Sequence, residues 1–201
     1  MSDREEKRRG IVEAAARLFA SQGFTTVRVA DIAVAADVGK GTVYEYFASK
    51  EELLLAVFEW INVGIRERVD RALDEREDAC SQIRALFRAG GEVVRDYREI
   101  HPMNLDFWAV SRGGAVETRF EELCGEQYRA YRELIAAIVR RGQETGELRA
   151  DTDAEAVATM AVSVFDGLSM QHWLDPSVDP VASCEGFAEV VCRGLETPTA
   201  A

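Results

Sequence analysis

The chain has 201 residues, 47% hydrophobic and 30% charged, and its 36 Asp+Glu against 24 Lys+Arg leave a formal charge of −12. Such a composition is globular and supplies a core, while so acidic a surface excludes broad, indiscriminate attachment to nucleic acid. The charge is uneven: residues 1–53 hold 8 Lys+Arg against 9 Asp+Glu, so a polyanion is tolerated only at that end.

Apolar residues recur at three- and four-residue steps along the chain and strand alternation does not, which predicts an all-α fold. The start, "MSDREEKRRG", lacks the apolar core of a signal peptide. Its Arg4, Lys7, Arg8 and Arg9 read either as a basic arm or as a solvated helix start diluted by Glu5 and Glu6. "IVEAAARLFASQGF" then places Ile11, Ala14, Ala15, Leu18 and Phe19 on one helical face, and Gly23 closes it. "RVADIAVAADV" and "GKGTVYEYF" predict two short helices meeting at "ADVG", with Gly39 relaxing the corner. Ile32, Ala33, Ala36, Val38, Val43 and Phe47 fit the inside of that pair, the arrangement of a helix-turn-helix over residues 28–47. Ser49 and Glu52 make a capping box for a fourth helix that runs to about Leu73, where "DEREDA" interrupts the pattern.

Further along, "CSQIRALFRAGGEVVRDY" carries an apolar stripe interrupted by Gly90 and Gly91, which points to a kink or a close helix approach. Pro102 suits the first turn of a short helix with Leu105, Phe107 and Trp108. A long helix follows through Phe120, Tyr128, Ile135 and Val139, then a turn at "GQETGELRADTD". Two last helices are expected from Asp153 to Leu174 and from Pro180 to Leu195, making nine, three short ones first. The longest uncharged apolar run, Ala156 to Phe165, is too short to span a bilayer. Cys80, Cys124, Cys184 and Cys192 form no CxxC pair, and His101 and His172 stand alone, so buried reduced thiols, no metal and no cofactor are expected, in a cytoplasmic protein.

The outward residues of the third helix, Lys40, Gly41, Thr42, Tyr44, Glu45 and Tyr46, suit a major groove: a cation, a hydroxyl and two phenols for phosphates and base edges. An ordinary amphipathic surface helix reads the same way. The stretch "GFTTVRVADIAVAADVGKGTVYEYFASKEELL" resembles the N-terminal domain of the tetracycline-repressor (TetR) family of bacterial transcription regulators, densely over residues 8–58. That resemblance implies an all-helical homodimer, with a three-helix DNA-binding domain at 1–53. Helix four would join it to a larger helical domain at 54–201, for dimerisation and usually for a small effector. Carried over by position, Lys40, Thr42, Tyr44 and Tyr46 would contact a double-stranded, palindromic operator, Gly41 would permit close backbone approach, and Arg28 and Lys50 would meet phosphates. Glu45 would accept from cytosine N4 or remain plain surface. Val27 stands where many relatives have Thr or Ser, leaving the cap of helix two to Thr25 or Thr26.

In the larger domain, "GELRADTDAEAVATMAVSVFDGL" resembles the family's commonest dimerisation region, and Ala161, Phe165, Leu168, Phe187 and Val191 are its candidate interface, with monomer core as the alternative. Phe87, Met103, Phe107, Trp108, Tyr128 and Tyr131, with Met160, are the candidate effector pocket, the tyrosine hydroxyls, His101 and Asn104 its candidate polar groups, and packing is again the competing use. No GxSxG, HExxH or glycine-rich phosphate loop points to catalysis. The expected function is a sequence-specific DNA-binding regulator, a repressor released by a small molecule. A constitutive DNA- or protein-binding helix-turn-helix protein is the alternative.

Overall fold

The computed structural model describes residues 2–73, 78–110 and 115–197, without the side chains of residues 104, 107–110 and 115. Phe107, Trp108 and Asn104 therefore lie outside the described side chains. So do most of the expected break at "DEREDA" and the last four residues, 198–201.

Among the described residues there are nine α-helices: α1 Asp3–Gln22, α2 Val29–Ala35, α3 Lys40–Tyr46, α4 Lys50–Leu73, α5 Ala79–Asp96, α6 His101–Val110, α7 Ala115–Glu144, α8 Ala154–Leu174 and α9 Pro180–Leu195. A 3-10 turn, Arg98–Ile100, leads into α6, and Leu148 and Glu196 form an isolated bridge. The expected helices are present, but α1 is not short. It begins at Asp3, eight residues before its apolar stripe, because Ser2 and Glu5 close a capping box there: Ser2 Oγ accepts from Glu5 N–H, and Glu5 Oε2 accepts from Ser2 N–H at 2.7 Å. Asp78, Asp153 and Asp179 cap α5, α8 and α9, satisfying amides that a helix start leaves without partners. No helix of the described residues is long and apolar enough to cross a membrane.

The chain forms two compact units that do not follow a linear cut at 53/54. The first runs to Gly64 and takes in Glu99–Leu123. Its core is Ile11, Val12, Ala15, Phe19, Phe24, Ile32, Val43, Phe47, Leu53 and Val57, all at or below 4% exposure. Phe58 of α4 meets Phe120 of α7 edge-on, centroids 5.1 Å apart, and Met103 of α6 is buried here too. Asp106 of α6 accepts from Phe24 N–H at 3.1 Å, tying that helix to the turn between α1 and α2.

The second unit comprises Ile65–Arg98 and the chain from Cys124 onward. Ile83, Leu86 and Phe87 of α5, Ile135 and Val139 of α7, Ala158, Ala161 and Leu168 of α8, and Cys184, Ala188 and Cys192 of α9 fill it. The glycine pair of α5 marks close approach. A Cβ at Gly90 would run into the Phe165 ring, and one at Gly91 would lie 2.7 Å from Pro180 O. Arg84 and Arg88 reach across to Glu189 (2.7 Å) and Glu185 (3.3 Å) of α9, along the outside of the same seam. At the end of α8, the Arg98 guanidinium donates to His172 O and Trp173 O, where a helix leaves carbonyls in need of donors.

Replacing Gly91 with Ala forces the α5–α9 backbones apart and should cost about 1–3 kcal/mol in urea unfolding. Gly10→Ala, which meets nothing within 4 Å on α1, should instead stabilise by up to about 1 kcal/mol. Equal effects of the two substitutions would contradict the packing described.

Candidate nucleic-acid interface

A helix of seven residues does not hold itself together in water, and α2 and α3 are each seven residues long. They persist because their inner residues are buried: Val29, Ile32 and Ala33 on α2, and Val43 on α3 with Phe47 just past its end. The corner between them closes as a Schellman turn. Val38 N–H donates to Ala33 O at 3.0 Å, Asp37 N–H donates to Val34 O at 3.2 Å, and Asp37 takes the left-handed φ of 54°. Gly39, expected to relax this corner, has an ordinary φ of −70°. Asp37 does that work instead, since Asp is among the few L-residues that visit the left-handed region readily.

The start of α2 is fixed by Asp31. One of its oxygens accepts from Arg28 N–H at 3.1 Å, and the carboxylate also grips the Arg28 guanidinium in two-pronged fashion, at 3.1 and 3.0 Å. These bonds, first the side-chain one from Arg28, hold the Asp31 carboxyl below the usual carboxylate range. Val27 is buried at 1% exposure, which explains an apolar residue where a hydroxyl was expected, and the cap comes from Asp31 rather than from Thr25 or Thr26. Ser49 accepts from Glu52 N–H as expected, while Glu52 reaches one residue further back than expected, to Ala48 N–H.

Lys50, expected at a phosphate, turns inward. Its ammonium donates to Val27 O at 2.8 Å and lies 4.2 Å from the centre of the Phe24 ring, so it joins the head of α4 to the residue that precedes α2.

With that scaffold in place, α3 turns outward what its inner residues do not use. Lys40, Gly41, Tyr44 and Glu45 are exposed, Tyr44 at 48%, while Thr42 and Tyr46 are half-exposed. The Lys40 ammonium stands 5.9 Å from the Tyr44 ring. A Cβ at Gly41 would meet nothing, so its backbone lies open to close approach from outside. Arg28 is exposed as well, but its charge is matched by Asp31. Cation, hydroxyl and phenols thus share one open face, the chemistry for phosphates and base edges.

Comparison with known proteins agrees with this geometry. Residues 11–57 match the model of bacterial regulatory proteins of the tetR family, and residues 95–197 match the C-terminal model of the BetI-type transcriptional repressors. The chain belongs to the TetR family. This TetR-family protein is 29% identical over 155 residues to the transcriptional repressor KstR2 of Mycobacterium tuberculosis, covering 75% of this chain and 74% of that one. It is 23% identical over 197 residues to the fatty acid metabolism regulator protein of Bacillus subtilis, covering 97% and 98%. Among solved structures it resembles a transcriptional regulator from Saccharomonospora viridis in complex with choline. There the TM-score is 0.77 at 25% identity, with 96% of this chain and 100% of that chain covered. The protein is a DNA-binding transcription regulator.

The regulator's remaining candidate residues divide between its units. Met103 is in the first, and Phe87, Tyr128 and Tyr131 are in the second. Phe87 borders a small, wholly apolar cavity with Ile83, Leu86, Ile135, Ile138, Val157, Ala161 and Val191. Tyr128 donates instead to Asp166 Oδ2 at 3.1 Å. Burial, then the Asp166 charge, pushes the Tyr128 phenol up to about 12, and burial raises the Asp166 carboxyl in turn. Of the candidate interface residues, Ala161 and Leu168 are buried at 4% and 7%, and the partly buried Phe165 packs on Phe87 and over Gly90, so these three side chains contribute to the core of the chain. Phe187 stays 38% exposed even as its ring edge meets Phe87, and Val191 is half-buried. The outward apolar residues of α8 and α9 are Met160, Met170, Leu174, Phe187 and Val190.

Asp37→Val puts a β-branched residue at positive φ and should cost about 1–2 kcal/mol in thermal or urea unfolding, whereas Asp37→Gly should cost nothing. A second substitution tests the acid that Tyr128 engages. Asp166 is raised, so its contribution is present below its unfolded pKa and is lost as pH rises through the higher folded value. Asp166→Asn should therefore melt above the wild type at pH 7, with the gap closing near about pH 3. A gap that persists in acid would contradict the account.

Proposed function

We propose that this regulator binds a palindromic operator as a homodimer in the cytoplasm, represses transcription there, and is released when a small molecule occupies its C-terminal part. The observation that carries the reading is the open face of α3, where Lys40, Tyr44 and Glu45 are exposed while the same helix is anchored from behind by Val43. Lys40 and Tyr44 supply donors to phosphates, Thr42 and Tyr46 flank them, and Glu45 accepts from cytosine N4. Lys50 acts as a positioning residue, since its ammonium is engaged on Val27 O. A body carrying most of the −12 charge repels DNA elsewhere, so affinity has to come from a few contacts made twice.

Pairing of two copies is supported by the outward stripes of α8 and α9. Met160 and Leu174 are 64% and 68% exposed, and Val190 is 67% exposed, a degree unusual for large apolar side chains grouped on adjacent helices. Two such helices from each copy make an isologous four-helix contact. Effector release is supported by the BetI-type match over residues 95–197 and by the choline bound in the Saccharomonospora viridis structure. In this chain Phe87, Tyr128 and Tyr131 supply aromatic walls and phenols in the second unit.

Tyr44→Ala and Lys40→Ala should each weaken binding to duplexes recovered by genomic selection by about 1–3 kcal/mol per reading head in gel shifts, with the melting temperature unchanged. Unaltered affinity would overturn the assignment of α3. Val190→Glu together with Leu174→Glu should halve the mass seen by light scattering, and a mass that does not change would place the subunit contact elsewhere.

A further inference from the structure

The inner stripe of α1 does not end where the core ends. At about 100° per residue, Arg4 and Arg8 fall in line with the buried Ile11, Val12 and Ala15. The stripe thus continues past the core as two arginines, and these arrive at the far end of α3. The Arg4 guanidinium carbon lies 5.9 Å from the centre of the Tyr46 ring, and that of Arg8 lies 5.2 Å from the centre of the Phe47 ring.

Charges around the start of α1 are sorted by face. Lys7 is paired with Asp3 at 2.9 Å and Arg9 with Glu13 at 3.6 Å. Glu5 is used by the Ser2 cap, and Glu6 lies about 180° round the helix from the two arginines. Arg4 and Arg8 form no ion pair among the described residues. Guanidinium groups within about 6 Å of a ring are held through their faces, at about 0.5–1 kcal/mol each when exposed. Their in-plane N–H donors stay available, and these match a phosphate in two-pronged geometry.

We infer that Arg4 and Arg8 form a second DNA-backbone contact, clamping phosphates beside the C-terminal end of α3 while the exposed face of that helix meets the bases. The inference rests on the proposed DNA-binding role of α3 and extends its footprint onto α1. Tyr46 and Phe47 act as the platform that pre-orients both guanidiniums. The contact reads no sequence; it adds counterion release, which a protein of net charge −12 has few other groups to supply.

The test is the salt dependence of affinity for a labelled duplex recovered by selection with the wild-type protein, measured by fluorescence anisotropy. Arg4→Ala/Arg8→Ala should flatten the slope of log K against log[KCl] by about 0.9 for each phosphate released, up to about 3.6 for four arginines on two reading heads. Preference for the recovered duplex over a scrambled one should be unchanged. Arg4→Lys/Arg8→Lys should keep most of the slope. If the double alanine variant melts below the wild type, Arg4→Gln and Arg8→Gln carry the same comparison singly. A slope equal to the wild type's, with DNA still bound, overturns the inference and leaves the two arginines as packing alone. A wild-type protein that retains no duplex overturns the reading of α3 itself.

Discussion

A segment of seven residues, the length of α3, is too short to be a helix on its own. Everything that α3 presents depends on its inner side being held, and the hold is the buried set of Ile32, Ala33, Val43 and Phe47 against the inner stripe of α1. The Schellman turn at residues 33–38 fixes the angle of the corner, and Asp37 fixes it by accepting a positive φ. A second set of polar ties works from outside that core: Asp31 on Arg28, Lys50 on Val27 O, and Asp106 on Phe24 N–H. The open face of α3 is what these constraints leave over.

The same economy explains the charge. A uniformly basic surface would attach to any duplex, whereas this chain places single cations at one end and matches the neighbouring ones with carboxylates. Lys7, Arg9 and Arg28 are all paired within α1 or at the start of α2. Lys40 leans on Tyr44, and Arg4 and Arg8 lean on Tyr46 and Phe47. Aromatic rings here orient cations without neutralising them, which carboxylates would do.

Much of this was legible in the sequence, and the rest has identifiable causes. Helix periodicity, the Ser49–Glu52 cap and the inner positions of the helix-turn-helix follow from spacing alone, because burial imposes the period. Glycine is the usual residue at a left-handed corner, so the sequence points to Gly39, whereas Asp37, two residues earlier, takes that conformation. An i, i+3 partner for Arg28 at Asp31 was available as a signal, yet the inward course of Lys50 was not, since its acceptor lies 23 residues away. On α8 the apolar residues run most of the way round the helix, so period could not separate core from outer face. Accessibility separates them, placing Ala161 and Leu168 inside and Met160 and Leu174 outside. The tie between Asp106 and Phe24 spans 82 residues and left no local trace.

The central claim is that the exposed face of α3 is the surface that DNA covers. Hydroxyl-radical footprinting read by mass spectrometry tests it most directly, because Tyr44 is 48% exposed in the free protein and Trp60 on α4 is comparably open at 41%. On addition of a duplex that the protein retains, Tyr44 should lose its reactivity while Trp60 keeps it. A Tyr44 that stays as reactive in the complex as in the free protein would contradict the account.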